Sequence, residues 1–166
     1  MFRFIFLVIF IFFGYDKVYS QLNQQSKKIT KTFFEDFSDL ENTTPALKKK
    51  KGFTNQKELN LFIEELKKNF PNFVKLDYIG QTQKGKKIPI VYLSDQNFED
   101  SKKIRIWMQG GSHGNEPAST ETLLFLIHEL LHNSENRYFL EKIHFAFVPM
   151  LNIDGYLKND RYSNNG

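Results

Sequence analysis

His113-Gly114-Asn115-Glu116 sets an imidazole and a carboxylate three residues apart. These are side-chain types that zinc takes as nitrogen and oxygen ligands. Upstream, Lys103-Ile104-Arg105-Ile106-Trp107-Met108 alternates as a strand does, and Gln109-Gly110-Gly111 supplies a flexible turn. Downstream, Pro117 suits the first turn of a helix, where a missing N–H costs nothing. An imidazole and a carboxylate on such a bend can converge above the strand's C-terminal end, the edge where open α/β sheets bind ligands.

A second stretch competes for the same chemistry. His128-Glu129-Leu130-Leu131-His132 spells H-E-x-x-H, in which two imidazoles hold zinc and the glutamate is a general base. On a helical wheel Leu123, Leu126, Ile127, Leu130 and Leu131 share one arc, and His128 and His132 fall outside it. The wheel therefore sets both histidines on the water-facing side. They also stand in the helix's last turn, where histidine complements the dipole without any metal. No third ligand with its own local pattern follows, so this match reads as a solvated helix end, and the His113–Glu116 pair taken alone stays an open candidate.

The elements that must position these groups are readable from periodicity. Thr54 can cap a helix whose Leu59, Phe62, Ile63, Leu66 and Phe70 share one face, ending at Pro71. Runs at 73–79 and 88–93, joined through Gln81-Thr82-Gln83-Lys84-Gly85-Lys86, predict a hairpin. A strand at 104–108, a helix at about 117–132 and a strand at 143–148 follow. His144 lies within that last strand and reads as a sheet residue. This order predicts an α/β fold with a mixed β-sheet and helices packed on both faces.

At 166 residues the length fits one domain or part of a larger one. Aromatics make up 16% of the residues, with 18 Phe, enough apolar bulk for a core. The formal charge of +4 is modest and its lysines are scattered apart from Lys48 to Lys51, which argues against nucleic-acid binding. There is no Cys, which excludes disulfides, cysteine zinc sites and a cysteine nucleophile. Arg3 followed by the apolar run Phe4 to Phe13 reads as a secretory signal cleaved after Ser20, giving a secreted or periplasmic protein. An uncleaved N-terminal anchor is the alternative, and the one route to a membrane. Residues 21–52 are polar and read as a linker or pro-segment, with order beginning at Phe53. Oligomeric state is not encoded in any pattern here.

Four pieces in order carry a family resemblance. They are the Phe53-Thr54 opening with its helix to Phe70-Pro71, Tyr78-Ile79-Gly80-Gln81-Thr82-Gln83-Lys84-Gly85-Lys86-Lys87-Ile88, His113-Gly114-Asn115-Glu116-Pro117, and Pro149-Met150-Leu151-Asn152-Ile153-Asp154-Gly155-Tyr156. Together they resemble the zinc carboxypeptidases of the carboxypeptidase A/B type and their bacterial relatives. The last piece has Ile153 where the family usually has proline. The resemblance spans roughly residues 53–166.

The resemblance implies that His113 and Glu116 are two of three protein ligands to Zn²⁺. A His₂Glu site with an open fourth position is the known arrangement in carboxypeptidase A. Arg161 aligns with the arginine that stabilises the developing oxyanion, a role suited to a permanent charge with several donors. Asn152 and Asp154 are expected to shape a turn, and Gly155 to permit a positive φ there. In the family the substrate-carboxylate arginine, the third ligand and the general base come beyond the point where Gly166 stands. The chain is thus expected to be the N-terminal portion of the catalytic domain, binding zinc poorly and turning over nothing alone. The implied substrate is a peptide or a peptidoglycan stem. An N-acyl amino acid deacylase of the aspartoacylase/succinylglutamate desuccinylase type, or a non-catalytic binding fragment, is the alternative.

Overall fold

The computed structural model describes residues 43–163 except Asn97, together with Ser26, Lys28, Ile29 and Thr32. The apolar N-terminal run, the cleavage point and most of the polar segment lie outside the described residues. The chain divides into two compact units, Met1–Ser38 and Asp39–Gly166. In the first, Thr32 Oγ1 donates to the Lys28 carbonyl at 2.8 Å, a one-turn helical contact. Everything below concerns the second.

Helix α1 spans Gln56–Asn69, and Asn55, rather than Thr54, is its cap. Asn55 Oδ1 accepts from the Glu58 N–H at 3.0 Å, and the Glu58 carboxylate accepts from the Asn55 N–H at 2.8 Å. Each side chain thus satisfies a backbone donor that the helix start leaves open. Packing begins ahead of Phe53: Thr44 is buried, and Lys49 Nζ donates to the Phe53 carbonyl at 2.7 Å and to Glu58 at 2.6 Å.

Strands β1 (Val74–Gln81) and β2 (Lys87–Leu93) form the expected antiparallel hairpin. Its turn places Gly85 at φ 73°, a conformation that side chains disfavour. Strand β3 (Ile104–Gln109) leads to helix α2 (Ala118–His132). Two single turns follow, α3 (Ser134–Arg137) and α4 (Phe139–Lys142), before strand β4 (Ile143–Val148) and the short helix α5 (Ile153–Lys158). The sheet order is β1-β2-β4-β3, with β3 and β4 parallel and the other pairs antiparallel. The mixed α/β sheet is the one the sequence predicts.

Parity decides which side of the sheet is covered. Ile106 and Met108 pair with Phe145 and Phe147, so all four point to one face. That face meets Leu59, Ile63 and Leu66 of α1 and Leu124, Ile127 and Leu131 of α2 in one buried cluster. Each fully buried aliphatic side chain there contributes about 1.5–3 kcal/mol. Among the described residues the two long helices lie on this face. The opposite face presents Arg105, Trp107 and His144 around a hollow of 480 Å³. His144 is a sheet residue, as read, and its Nε2–H donates to the Asp100 carbonyl at 3.0 Å.

Candidate functional site

The parallel pair β3–β4 does not stop at its strand ends. Gly110 N–H donates to the Val148 carbonyl at 2.9 Å, and Leu151 N–H to the Gly110 carbonyl at 3.0 Å. Asn152 N–H then donates to the Gly111 carbonyl at 2.8 Å. These bonds join the loop that carries His113 to the loop that carries Asn152. Gly111 turns at φ 61°, and its N–H donates to Ser119 Oγ at 2.9 Å. Thr120 Oγ1, buried, donates to the Pro149 carbonyl at 2.7 Å and ties the start of α2 to the same place.

Close backbone approach sets the rest. A Cβ on Gly114 would lie 2.1 Å from the Gly155 carbonyl carbon and 2.2 Å from the Tyr156 nitrogen, so only glycine fits. Gly155 has the same reason for being glycine. It lies inside α5 and not at positive φ, contrary to the sequence expectation. A Cβ there would meet the Tyr162 carbonyl oxygen at 2.5 Å. Arg161 is seated in this contact. Its carbonyl accepts from the Gly114 N–H at 3.4 Å and from Asn152 Nδ2 at 3.3 Å.

The outcome is a convergence of three charged or chargeable groups from two distant segments. His113 Nδ1 lies 2.9 Å from Glu116 Oε2, and Arg161 donates to Glu116 Oε1 at 2.6 Å across 45 residues of sequence. All three side chains are open to solvent, with 41%, 55% and 46% of their surfaces exposed. The hydrogen bond from His113 holds the Glu116 carboxyl below its usual range; desolvation opposes it, and Arg161 adds a further lowering. Glu116 therefore stays ionised in acid where an ordinary glutamate would not.

Beside them is a cleft of 440 Å³. One wall is the hairpin turn, Gln81 to Gln83, and the other is Leu151, Asn152 and the Arg161–Ser163 segment. The two walls are joined by Asp154, a role the sequence reading missed. Asn152 does shape its turn as expected, its Oδ1 accepting from the Gly155 N–H at 3.0 Å. Asp154, 2% exposed, instead reaches back to accept from Thr82 Oγ1 and from the Lys84 N–H, both at 3.1 Å. Beneath, Glu121 accepts from the Thr54 N–H at 2.6 Å and from Thr54 Oγ1 at 2.8 Å, and Tyr156 donates to the Thr54 carbonyl at 2.5 Å. Burial, then the nearby Glu121 and Glu58 carboxylates, push the Tyr156 phenol up to about 12. Pairings of this range leave no local pattern in a sequence.

The donor set suits zinc as far as it goes. Two ligands about 2.0–2.2 Å from one tetrahedral ion lie roughly 3.3–3.6 Å from each other. The 2.9 Å between His113 Nδ1 and Glu116 Oε2 is within a small rotation of that, and both side chains have room to make it. Among the described residues no group of three or more His, Cys, Asp or Glu is placed to hold a metal ion. The competing motif lies elsewhere: His128 and His132 line a separate cleft with Glu65 and Leu66 of α1. His132 is exposed, but His128 is half-buried rather than water-facing, because α1 covers its side of the wheel.

Residues 59–165 match the zinc carboxypeptidase family. The chain belongs to that family. It is similar to carboxypeptidase 2 of Trichophyton rubrum, 37% identical over 87 residues that are 49% of this chain and 16% of that protein. It is also similar to the inactive metallocarboxypeptidase ECM14 of Saccharomyces cerevisiae, 28% identical over 102 residues, 58% of this chain and 24% of the relative. Among solved structures it resembles carboxypeptidase A from Helicoverpa armigera, with a TM-score of 0.63 and 26% identity. That likeness covers 67% of this chain and 29% of the carboxypeptidase. The chain therefore spans less than a third of the length of each of these zinc carboxypeptidase relatives.

Proposed function

We propose that this chain contributes two zinc ligands, His113 and Glu116, and the oxyanion-stabilising Arg161 to a metallocarboxypeptidase that hydrolyses a C-terminal peptide bond. The observation that carries this reading is the contact of Arg161 with Glu116 beside His113 at the mouth of a cleft. Family membership supplies the metal, and the geometry supplies a reason for three separate residues to meet.

Zinc, when bound, polarises the scissile carbonyl and lowers the pKa of a water molecule. His113 would offer Nδ1 as a neutral imidazole, and Glu116 an ionised carboxylate whose depressed pKa keeps it available in mild acid. Arg161, always charged, presents several donors to the oxygen that becomes negative in the transition state. Its backbone carbonyl is held by Gly114 and Asn152, and its guanidinium by Glu116. Asp154 holds the hairpin turn at the cleft's edge, where it would border the substrate. The substrate class is a peptide, with a peptidoglycan stem as a narrower version. The apolar run after Arg3 supports export, with residues 53–166 as the N-terminal part of the catalytic domain.

The test is release of C-terminal amino acids from peptides by the protein expressed from its full open reading frame, before and after chelation. Activity lost with the chelator and restored by Zn²⁺ supports the reading. Release that persists without metal contradicts the mechanism, and a folded protein that releases nothing in either state favours a non-catalytic role, such as that of the inactive yeast relative.

A further inference from the structure

The cleft beside His113 and Arg161 has one wall whose polar groups are unspent. Gln81 and Gln83 both line it, on either side of Thr82. Both are exposed, and among the described residues neither side-chain amide has a partner. Each amide carries two N–H donors and an acceptor oxygen. An extended peptide offers the complementary set, one N–H and one carbonyl per residue.

The turn that carries the two glutamines is pinned from several sides. Thr82 N–H donates to the Lys86 carbonyl at 2.8 Å, and Gly85 N–H donates to the Thr82 carbonyl at 2.9 Å. Lys86 N–H donates to Thr82 Oγ1 at 3.1 Å, while that hydroxyl donates to Asp154. Asp154, buried, also accepts from the Lys84 N–H. The backbone from which Gln81 and Gln83 project is thus set by a carboxylate 72 residues away from Thr82. A wall held in this way has little ordering cost left when a ligand arrives.

Charge says which part of a peptide this wall meets. A terminal carboxylate needs a cation. Among the described lining residues the cleft's one lysine or arginine is Arg161, and it already holds Glu116. Asp154 is spent on the turn. What remains on the hairpin side is uncharged: two amides, Thr82 and Ile88. Such a wall suits peptide backbone and neutral side chains rather than a charged terminus. The cleft's 440 Å³ is within the range of small-ligand pockets, about 300–1,000 Å³.

We propose that Gln81 and Gln83 form the subsite for substrate residues on the amino side of the scissile bond, and that Asp154 is its positioning residue. Given the carboxypeptidase activity proposed above, on which this subsite rests, peptides extended by uncharged residues are preferred to dipeptides.

The test uses zinc-loaded protein from the full open reading frame and two substrates with the same C-terminal residue. One is an N-acetylated dipeptide, and the other is that dipeptide extended at its amino end by two alanines. The wild type should show the higher kcat/KM on the longer peptide. Gln81→Ala combined with Gln83→Ala should cut that preference by about tenfold, through KM rather than kcat, the scale of losing one or two neutral hydrogen bonds. Both side chains are exposed and unpartnered, so the double variant keeps its fold. Asp154→Asn keeps the shape but leaves one acceptor oxygen for two donors. It should give the same loss in KM for the longer peptide, whereas a purely structural role would lower both peptides alike and remove Asp154 from the proposal. A wild type that prefers neither peptide, or a double variant that keeps the full preference, overturns the subsite. A wild type that releases nothing from either peptide overturns the carboxypeptidase reading, and the subsite with it.

Discussion

His113–Glu116 and His128–His132 both offer imidazole but are built differently. The second pair is the work of one helix: its spacing is fixed by 3.6 residues per turn, and its rings meet without help from distant sequence. The first pair stands on a loop that has no rigidity of its own. It is held because β3–β4 pairing continues past the strands and because Gly114 and Gly155 bring two backbones into contact. The helix yields two imidazoles on one face. The loop contact brings a carboxylate, an imidazole and a guanidinium from two segments to the edge of a cleft. Local spacing can set two rings in contact, whereas a reaction centre needs groups that converge from separate places.

The sharpest way to break this comparison is Gly114→Ala. With its Cβ 2.1 Å from the Gly155 backbone, the variant should lose at least about 3 kcal/mol of stability, the upper end of overpacking costs. Glu129→Ala on the helix should stay within about 0.5 kcal/mol. Chemical denaturation of both measures the difference, and equal stabilities would mean that the loop contact is not what holds the site.

Asp154→Ala comes next. It leaves the Thr82 hydroxyl and the Lys84 N–H without their acceptor, a cost of about 1–3 kcal/mol. Denaturation reads the loss, and hydrogen exchange should speed up at Lys84 first.

The smallest effects are in titration, and they separate the two regions by pH. The folded Glu116 carboxyl is depressed below 4.5, so its contribution is present above that value and is lost as pH falls through the lower folded midpoint. His128 is depressed below 6.5 because its charged form is disfavoured, so its region weakens as pH falls from 6.5 towards the folded midpoint. NMR titration of the Glu116 carboxyl carbon and the His128 ring should give midpoints below 4.5 and 6.5 respectively. His113→Ala should raise the first, since its hydrogen bond is the main cause of the shift. Midpoints that are not depressed would remove the electrostatic part of the contrast.

Whatever depends on neighbours in sequence was legible before the fold was known. The alternation of Ile104, Ile106 and Met108, the hairpin around Gly85 and the apolar stripe of α1 are local and came out as read. So did the bend that carries His113. Contacts across long separations were not legible. Thr54 looked like a cap because its type fits, but Asn55 has Glu58 three residues on, and Thr54 is instead taken by Glu121. Asp154 looked like a turn residue because nothing nearby marks Thr82 or Lys84 as its partners. Gly155 was explained by backbone freedom when its cause is lack of space. A helical wheel placed His128 in water because it shows one helix and not the α1 beside it.

The measurement that bears most directly on the central claim is kcat/KM for release of a C-terminal residue by the protein from the full open reading frame. It is made on the wild type, on Glu116→Gln and on Glu129→Gln, the glutamates of the two competing motifs. The account predicts a loss of more than about 100-fold for Glu116→Gln, beyond what removing an outer partner of a metal ligand costs. It predicts a change within about twofold for Glu129→Gln, a half-buried helical position away from that cleft. Activity that survives in Glu116→Gln and collapses in Glu129→Gln would contradict it.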